Sequence, residues 1–257
     1  MSSDPYARSW ITPEILSLLR KDPWFGSLPQ TLEDALLARA TPRRFPHGAQ
    51  IFFRGDPSDG LYAVLEGSLR VSGVTEAGKE AILTIVESPS WFGEISLFDQ
   101  LPRTHNVTTE GATRLLHVSQ VELEALLDRE PRHWREFGRL MALRVRLAFI
   151  GIEDLALLPA ESRLARRLLL LSQSSPATTG QSSCVVPISQ AQLGMMLSLS
   201  RQTTNQVLQG LQDLGIVQVA YGRIEVKDLS RLIEVADLSG TEKRILGHLQ
   251  STARGDE

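Results

Sequence analysis

Between Pro46 and Val118 the apolar residues recur at every second position, and from Ser119 onward they recur at every third or fourth. One layer of secondary structure cannot serve both periods, so a strand-built body must be joined to helices. The period-two runs are Ile51 and Phe53, then Leu61, Ala63 and Leu65, then Leu69 and Val71, with further strands at 81–86, 106–109 and 114–118. Gly55-Asp56-Pro57, Gly67-Ser68, Gly73 and Gly78 supply the turns between them. Many short strands at regular spacing predict a closed or two-sheet antiparallel body. Upstream, Ile15, Leu18, Leu19, Leu32, Leu36 and Leu37 carry helical spacing over residues 13–41.

Ser119 with Glu122 reads as a capping box, and Pro131 suits a first helical turn. A helical pattern then runs without proline to Pro159. Trp134, Met141, Ala148 and Leu155 recur every seven residues, with Val145 and Ile152 between them. Such a seam suits pairing with the same helix of a second copy, and Gly138 and Ala148 let backbones approach. The alternative is a helix lying on its own domain. Leu140, Leu143, Leu147 and Ile150 form a second stripe able to dock on the strands. Residues 160–172 make another helix, 173–186 a polar loop, and the tail after Gly240 has helical spacing at Ile245 and Leu249 but ends ARGDE and is expected to be mobile.

Residues 188–214 read ISQAQLGMMLSLSRQTTNQVLQGLQDL. Ser189 with Gln192 is a capping box, Leu193 and Leu197 a buried face, and 198–200 a tight turn whose Ser200 caps the next helix. In that second helix Val207, Leu211 and Leu214 are expected to be buried, with Gly215 ending it. The opposite face carries Arg201, Gln202, Asn205, Gln206 and Gln209. Arginine matches the guanine major-groove edge, and asparagine and glutamine match adenine. Residues 216–226 form a hairpin turning at Tyr221-Gly222, with Arg223 placed for a phosphate. The whole is a winged helix-turn-helix. The alternative is a helical hairpin with a solvated polar face. If the backbone of Ser198 is left-handed, its side chain costs on the order of 1 kcal/mol.

Composition closes off other classes. The 257 residues are 42% hydrophobic and 22% charged, enough for a folded core. Cys184 stands alone, so intrachain disulfides and all-cysteine metal clusters are excluded. Residues 1–130 hold 12 basic and 18 acidic side chains, residues 131–257 hold 15 and 12, which points to two jobs on one chain. No apolar run reaches about 18 residues and the N-terminus has no leader pattern, so a cytoplasmic protein with no membrane contact is expected. No phosphate-binding loop, HExxH, GxSxG elbow or dinucleotide fingerprint occurs, so no enzyme and no catalytic or metal-binding residue is expected.

The sequence resembles the catabolite activator/FNR (Crp/Fnr) family of bacterial transcription regulators. Residues 91–107, WFGEISLFDQLPRTHNV, are similar to its phosphate-binding cassette. The runs RGDPSDGLYAVLEGSLRV and TEAGKEAILTIV are similar to its jelly-roll strands, and SRQTTNQVL to its recognition helix. The resemblance implies an α+β chain: a cyclic-nucleotide-binding antiparallel jelly roll, a long dimerisation helix and a C-terminal winged helix-turn-helix. The expected boundaries are 1–130 for N-terminal helices and jelly roll, 131–158 for the dimerisation helix, 159–235 for the DNA-binding domain and 236–257 for a tail.

For the pocket, it implies Arg103 as the phosphate cation, Thr104 as a hydroxyl donor, Gly93 for close backbone approach and Glu94 as ribose acceptor, with Phe92, Ile95, Leu97 and Phe98 as walls. The alternative is a structural salt bridge between Glu94 and Arg103. Cyclic-AMP-responsive members hold the base with a Thr-Ser pair. The matching positions here are Ala148 and Phe149, of which only Phe149 offers a surface for stacking. The effector is then cAMP, another cyclic nucleotide such as cyclic di-GMP, another molecule, or none. His105 is the histidine to watch for a haem-binding variant. The expected DNA-contacting residues are Ser200, Arg201, Gln202, Asn205, Gln206 and Arg223. The expected partners are double-stranded operator DNA and a second copy, with RNA polymerase a candidate. The rival readings are a ligand-independent regulator of the same fold and a nucleotide-sensing module acting through a protein partner.

Overall fold

Thr12 opens the first helix of the computed structural model, which describes residues 10–76, 78, 80–174, 184–240 and 242–244. Its hydroxyl accepts from the Ile15 amide at 3.4 Å, and Pro13 takes the first helical position, where a missing N–H costs nothing. Helix α1 spans Pro13–Leu19 and α2 spans Gln30–Leu37. The strands follow as β1 (Thr41–Phe45), β2 (Gln50–Phe52), β3 (Gly60–Glu66), β4 (Ser68–Val74), β5 (Glu80–Glu87) and β6 (Ser90–Phe92). Next come α3 (Ile95–Asp99), β7 (Asn106–Thr109), β8 (Thr113–Ser119), α4 (Gln120–Arg129) and the long α5 (Trp134–Leu157). The chain divides within α5 into two units: one built from the chain up to Gly73 and Ile85–Leu147, the other from Val74–Thr84 and Ala148–Leu249.

Two four-stranded sheets, ordered β1-β8-β3-β6 and β2-β7-β4-β5, make the expected jelly roll, all of it in the first unit except Val74 of β4 and residues 80–84 of β5. The registers of β1, β3 and β6 with their neighbours and of β7 with β2 and β4 are antiparallel. β3 is buried at six successive positions because both its faces are covered. Leu61, Ala63 and Leu65 join the core with Leu19, Leu32, Leu36, Leu37 and the α5 residues Phe137 and Leu140. Tyr62 and Val64 join Leu69, Phe92, Val107 and Leu115 in a second core.

Three features differ from the sequence expectation. β1 precedes Pro46: its residues are mostly exposed, so no apolar alternation announces it, yet Thr41–Phe45 pairs along β8. A register irregularity between Gln50 and Phe52 shifts the alternation of β2, so Phe52 turns inward and Phe53 is exposed. At α4 the Ser119 hydroxyl accepts from Glu122 N, but the Glu122 carboxylate returns to that hydroxyl at 3.1 Å rather than to the backbone.

On α5, a short 3-10 turn at Pro131–His133 precedes the helix proper. Of the docking stripe, Leu140 is buried and Leu143, Leu147 and Ile150 are half-buried. Val145, Ile152 and Leu155 of the seam are exposed.

The second unit contains α6 (Ala160–Ser174), β9 (Cys184–Val186), α7 (Gln190–Leu197), α8 (Arg201–Asp213), β10 (Val217–Ala220), β11 (Arg223–Val226) and α9 (Leu229–Val235). β9 lies in the stretch expected to be loop; it pairs with β11 and widens the wing to three strands, β10-β11-β9. Most of that stretch, 175–183, and the tail beyond 244 lie outside the described residues. Residues 242–244 are helical, in keeping with the helical spacing of the segment after Gly240. Glu242 pairs with the buried Arg166, which also donates to Asp154 Oδ1 at 2.6 Å and to the carbonyls of Ala236 and Asp237.

Candidate anion site and nucleic-acid interface

The cassette region places Arg103 in the interior, only 4% exposed. Its backbone is clamped to the 55–56 loop: Gly55 N donates to Arg103 O and Arg103 N to Asp56 O, both at 2.8 Å. Its guanidinium donates from Nη1 to Gly93 O at 3.0 Å and from Nη2 to Gly60 O at 2.7 Å and Asp59 Oδ1 at 2.6 Å. The Phe52 ring lies 4.3 Å from the guanidinium carbon, a cation–π contact. Nε is buried and has no hydrogen-bond partner. Gly93 has φ +98°, and a Cβ there would stand 2.9 Å from Gly60 O and 3.0 Å from Arg103 Nη1. Only glycine allows this backbone to lie against the guanidinium.

The Glu94–Arg103 pair considered from sequence does not form. Arg103 pairs with Asp59, while buried Glu94 faces Arg144 of α5, whose Nε lies 3.7 Å from Glu94 Oε1. Arg144 also donates to Trp91 O at 2.7 Å, so α5 is tied to β6 and to the cassette. Asp59 is itself held. The Tyr62 hydroxyl donates to its carboxylate. His117 Nε2 lies 3.0 Å from Asp59 O, and Gln120 N donates to the same carbonyl. Burial pushes the Asp59 carboxyl up, but the hydrogen bonds from Tyr62 and Arg103, with the charges of Arg103 and His117, leave it below its usual value. Burial first, and then the Arg43 charge, lower the His117 imidazole. Burial and the bond to Asp59 raise the Tyr62 phenol.

Gly93 and Arg103 thus meet, while Glu94, next to Gly93 in sequence, turns to Arg144. Thr104 is exposed, and its hydroxyl is engaged with His105 Nδ1 at 2.9 Å. Phe149 sits 64% exposed on the part of α5 that belongs to the second unit. Of the expected walls, Phe92 is interior and stacks on Tyr62. Leu97 packs in the other core, and Ile95 and Phe98 are exposed, with Phe98 against Trp134. Sequence reasoning missed Asp59, Tyr62, His117 and Arg144. Asp59 before a strand and Arg144 on a helix carry charge where it is commonest, and Tyr62 and His117 are single polar positions inside strands, so none of the four stood out.

In the second unit α7 begins with a complete Ser189/Gln192 capping box and ends at Ser198, whose φ of 53° is left-handed. Ser200 caps α8, accepting from Thr203 N at 3.0 Å. Thr204, Leu208 and Leu211 form the buried face; Val207 is half-buried and Leu214 exposed, so the buried stripe is rotated from the expected one. The rotation follows from Gly194, against which Thr204 packs. Ser200, Arg201, Gln202, Asn205 and Gln206 remain exposed along the first turns. Gly215 has φ +72° after α8, and the Tyr221-Gly222 turn joins β10 to β11 with Ala220 opposite Arg223. Arg223 is exposed at the wing tip.

Two family patterns match the chain. The cyclic nucleotide-binding domain covers residues 42–130. The Crp-like helix-turn-helix domain covers residues 162–235. The chain belongs to the Crp/Fnr family of transcription regulators. This Crp/Fnr chain is 28% identical over 199 residues to a CRP-like cAMP-activated global transcriptional regulator of Mycobacterium tuberculosis, covering 77% of this chain and 89% of the relative. It is 29% identical over 218 residues to a cyclic AMP receptor protein of Thermus thermophilus, covering 85% and 98%. Among solved structures, a CRP/FNR family transcriptional regulator from Thermus thermophilus matches with a TM-score of 0.63 at 27% identity, covering 78% of this chain and all of that one. Among the described residues of the Crp/Fnr chain no helix is long and apolar enough to cross a membrane.

Proposed function

We propose that the chain is a dimeric, sequence-specific DNA-binding regulator whose first unit takes an effector bearing a phosphodiester, with cAMP or cyclic di-GMP as candidates. The buried, unpartnered Nε of Arg103 carries this reading. A guanidinium edge withheld from water and left without an acceptor is costly unless an anion completes it. Arg103 would hold the phosphate, the backbone at Gly93 would allow its close approach, and Glu94 would accept from a sugar hydroxyl.

Glu94 also faces Arg144, so a change at Glu94 bears directly on α5. Exposed Val145, Ile152 and Leu155 supply the surface on which α5 would pair with that of a second copy. A two-fold dimer would present two α8 helices to half-sites about one helical turn apart. Arg201, Gln202, Asn205 and Gln206 would read bases, and Ser200 and Arg223 would touch the backbone. RNA polymerase is the candidate third partner. Coupling between effector and DNA in such switches is typically about 1–3 kcal/mol.

Calorimetric titration of cAMP and cyclic di-GMP into wild type and Arg103→Ala tests the pocket. The expected result is binding of one of them that Arg103→Ala abolishes. Binding unchanged by that substitution rejects the site.

A further inference from the structure

Arg103 already has one anionic partner before any effector arrives. The nearest charge to its guanidinium is Asp59, 2.6 Å away, and the arginine side chain is 3% exposed. Asp59 is not free to leave. Its carboxylate accepts from the Tyr62 hydroxyl, its carbonyl accepts from Gln120 N at 3.0 Å, and His117 Nε2 lies 3.0 Å from that carbonyl and 3.7 Å from Oδ2. The remaining charges near this cluster are spoken for or lie outside the contact. Glu94 faces Arg144, and Arg43 and Arg54 act on His117 and His105 without a hydrogen bond to Asp59 or Arg103. The Arg103–Asp59 pair therefore stands near neutrality, and an entering anion meets a guanidinium edge whose charge is largely cancelled by a fixed carboxylate.

We propose that Asp59 sets the charge class of the ligand, so that the site accepts a singly charged phosphodiester and refuses a doubly charged phosphomonoester. The inference rests on Arg103 being the phosphate cation. One negative charge is balanced by the hydrogen bond from Nε and the residual field of the pair. A second negative charge adds repulsion from the half-exposed Asp59 carboxylate, to which, among the described residues, Arg103 is the one hydrogen-bonded arginine, Arg43 acting on Tyr62 and His117 through its charge alone. Asp59 acts through Arg103 and does not itself touch the ligand.

The test compares cAMP with 5′-AMP, which share the adenosine and differ by about one charge above the second phosphate pKa of about 6. Both are titrated into the full-length protein near pH 7.5, and the ratio of their affinities is read. Wild type is expected to prefer cAMP by at least about 100-fold. Asp59→Asn should lower that ratio by about 10-fold or more, whatever it does to either affinity alone, and Asp59→Glu should keep it. Tyr62→Phe, which keeps the ring but loosens the carboxylate, should lower it by about 3-fold and stands in if Asp59→Asn does not fold. A ratio unchanged in the folded Asp59→Asn protein, or in Tyr62→Phe when that variant stands in, overturns the proposal. So does a wild type that takes both nucleotides equally; in either case the pocket stands. A wild type that binds neither nucleotide, nor any other cyclic nucleotide, rejects the pocket and the proposal together.

Discussion

A Cβ on Gly194 would stand 2.8 Å from the Thr204 hydroxyl, so α7 and α8 meet at a separation that only glycine permits. The hydroxyl is fixed there by its bond to Ser200 O at 3.0 Å. Gly194→Ala should therefore destabilise the second unit by about 1–3 kcal/mol despite alanine's better helix propensity. In a Thr204→Ala background the same change should cost far less, as a double-mutant cycle by urea unfolding would show. Equal losses in both backgrounds would contradict the contact.

Ser198 holds a left-handed backbone, φ 53° and ψ 36°, between α7 and α8. Glycine adopts that conformation without the steric penalty of a side chain. Ser198→Gly is expected to stabilise by about 1 kcal/mol and to raise the thermal midpoint by about 2–4 °C. An unchanged or lower midpoint would mean that the strain is absent.

How much was legible from sequence follows the local or distant origin of each feature. The helix-turn-helix was readable because its caps, its turn and Gly215 are local, set by residues within four positions of one another. The alternation of β3 marked a strand, but nothing local says that both its faces would be covered. β1 was invisible because Thr41–Phe45 takes its order from pairing with β8, about 70 residues away. The same applies to the anion site. Gly93, Glu94 and Arg103 lie in one short segment, whereas Asp59 reaches Arg103 across 44 positions and Arg144 reaches Trp91 across 53. Partner choice at that range is decided by topology.

Glu87 stands at about 7 because burial withholds water from its charge. Its Oε2 has no partner. The unfolded carboxyl ionises near 4.5, so the unfolded state sheds its proton first and the fold loses stability as pH rises from about 4.5 to 7. Glu87→Gln should match wild type near pH 4 and exceed it near pH 8 by up to roughly 3 kcal/mol, measured by urea unfolding at both values. A wild type that gains on the variant with rising pH would reverse the sign and reject the assignment.

Ile152 is 61% exposed on α5, in line with Val145 and Leu155. A glutamate placed in a paired apolar seam faces its own copy across the two-fold axis and must be desolvated. Ile152→Glu should convert the proposed dimer to monomer in light scattering at micromolar concentration while the far-UV circular dichroism stays the same. A variant that keeps wild-type mass places the interface elsewhere.

Selection of bound duplexes from a random DNA pool, with and without cyclic nucleotide, tests most directly whether α8 reads sequence. The expected outcome for wild type is a two-fold symmetric motif with half-sites about 10 base pairs apart, enriched more strongly in one of the two conditions. Arg201→Ala should relax the preference at one guanine per half-site at a cost of about 1–3 kcal/mol, while Arg223→Ala should weaken all sequences alike. A pool in which no sequence is enriched in either condition would contradict the account.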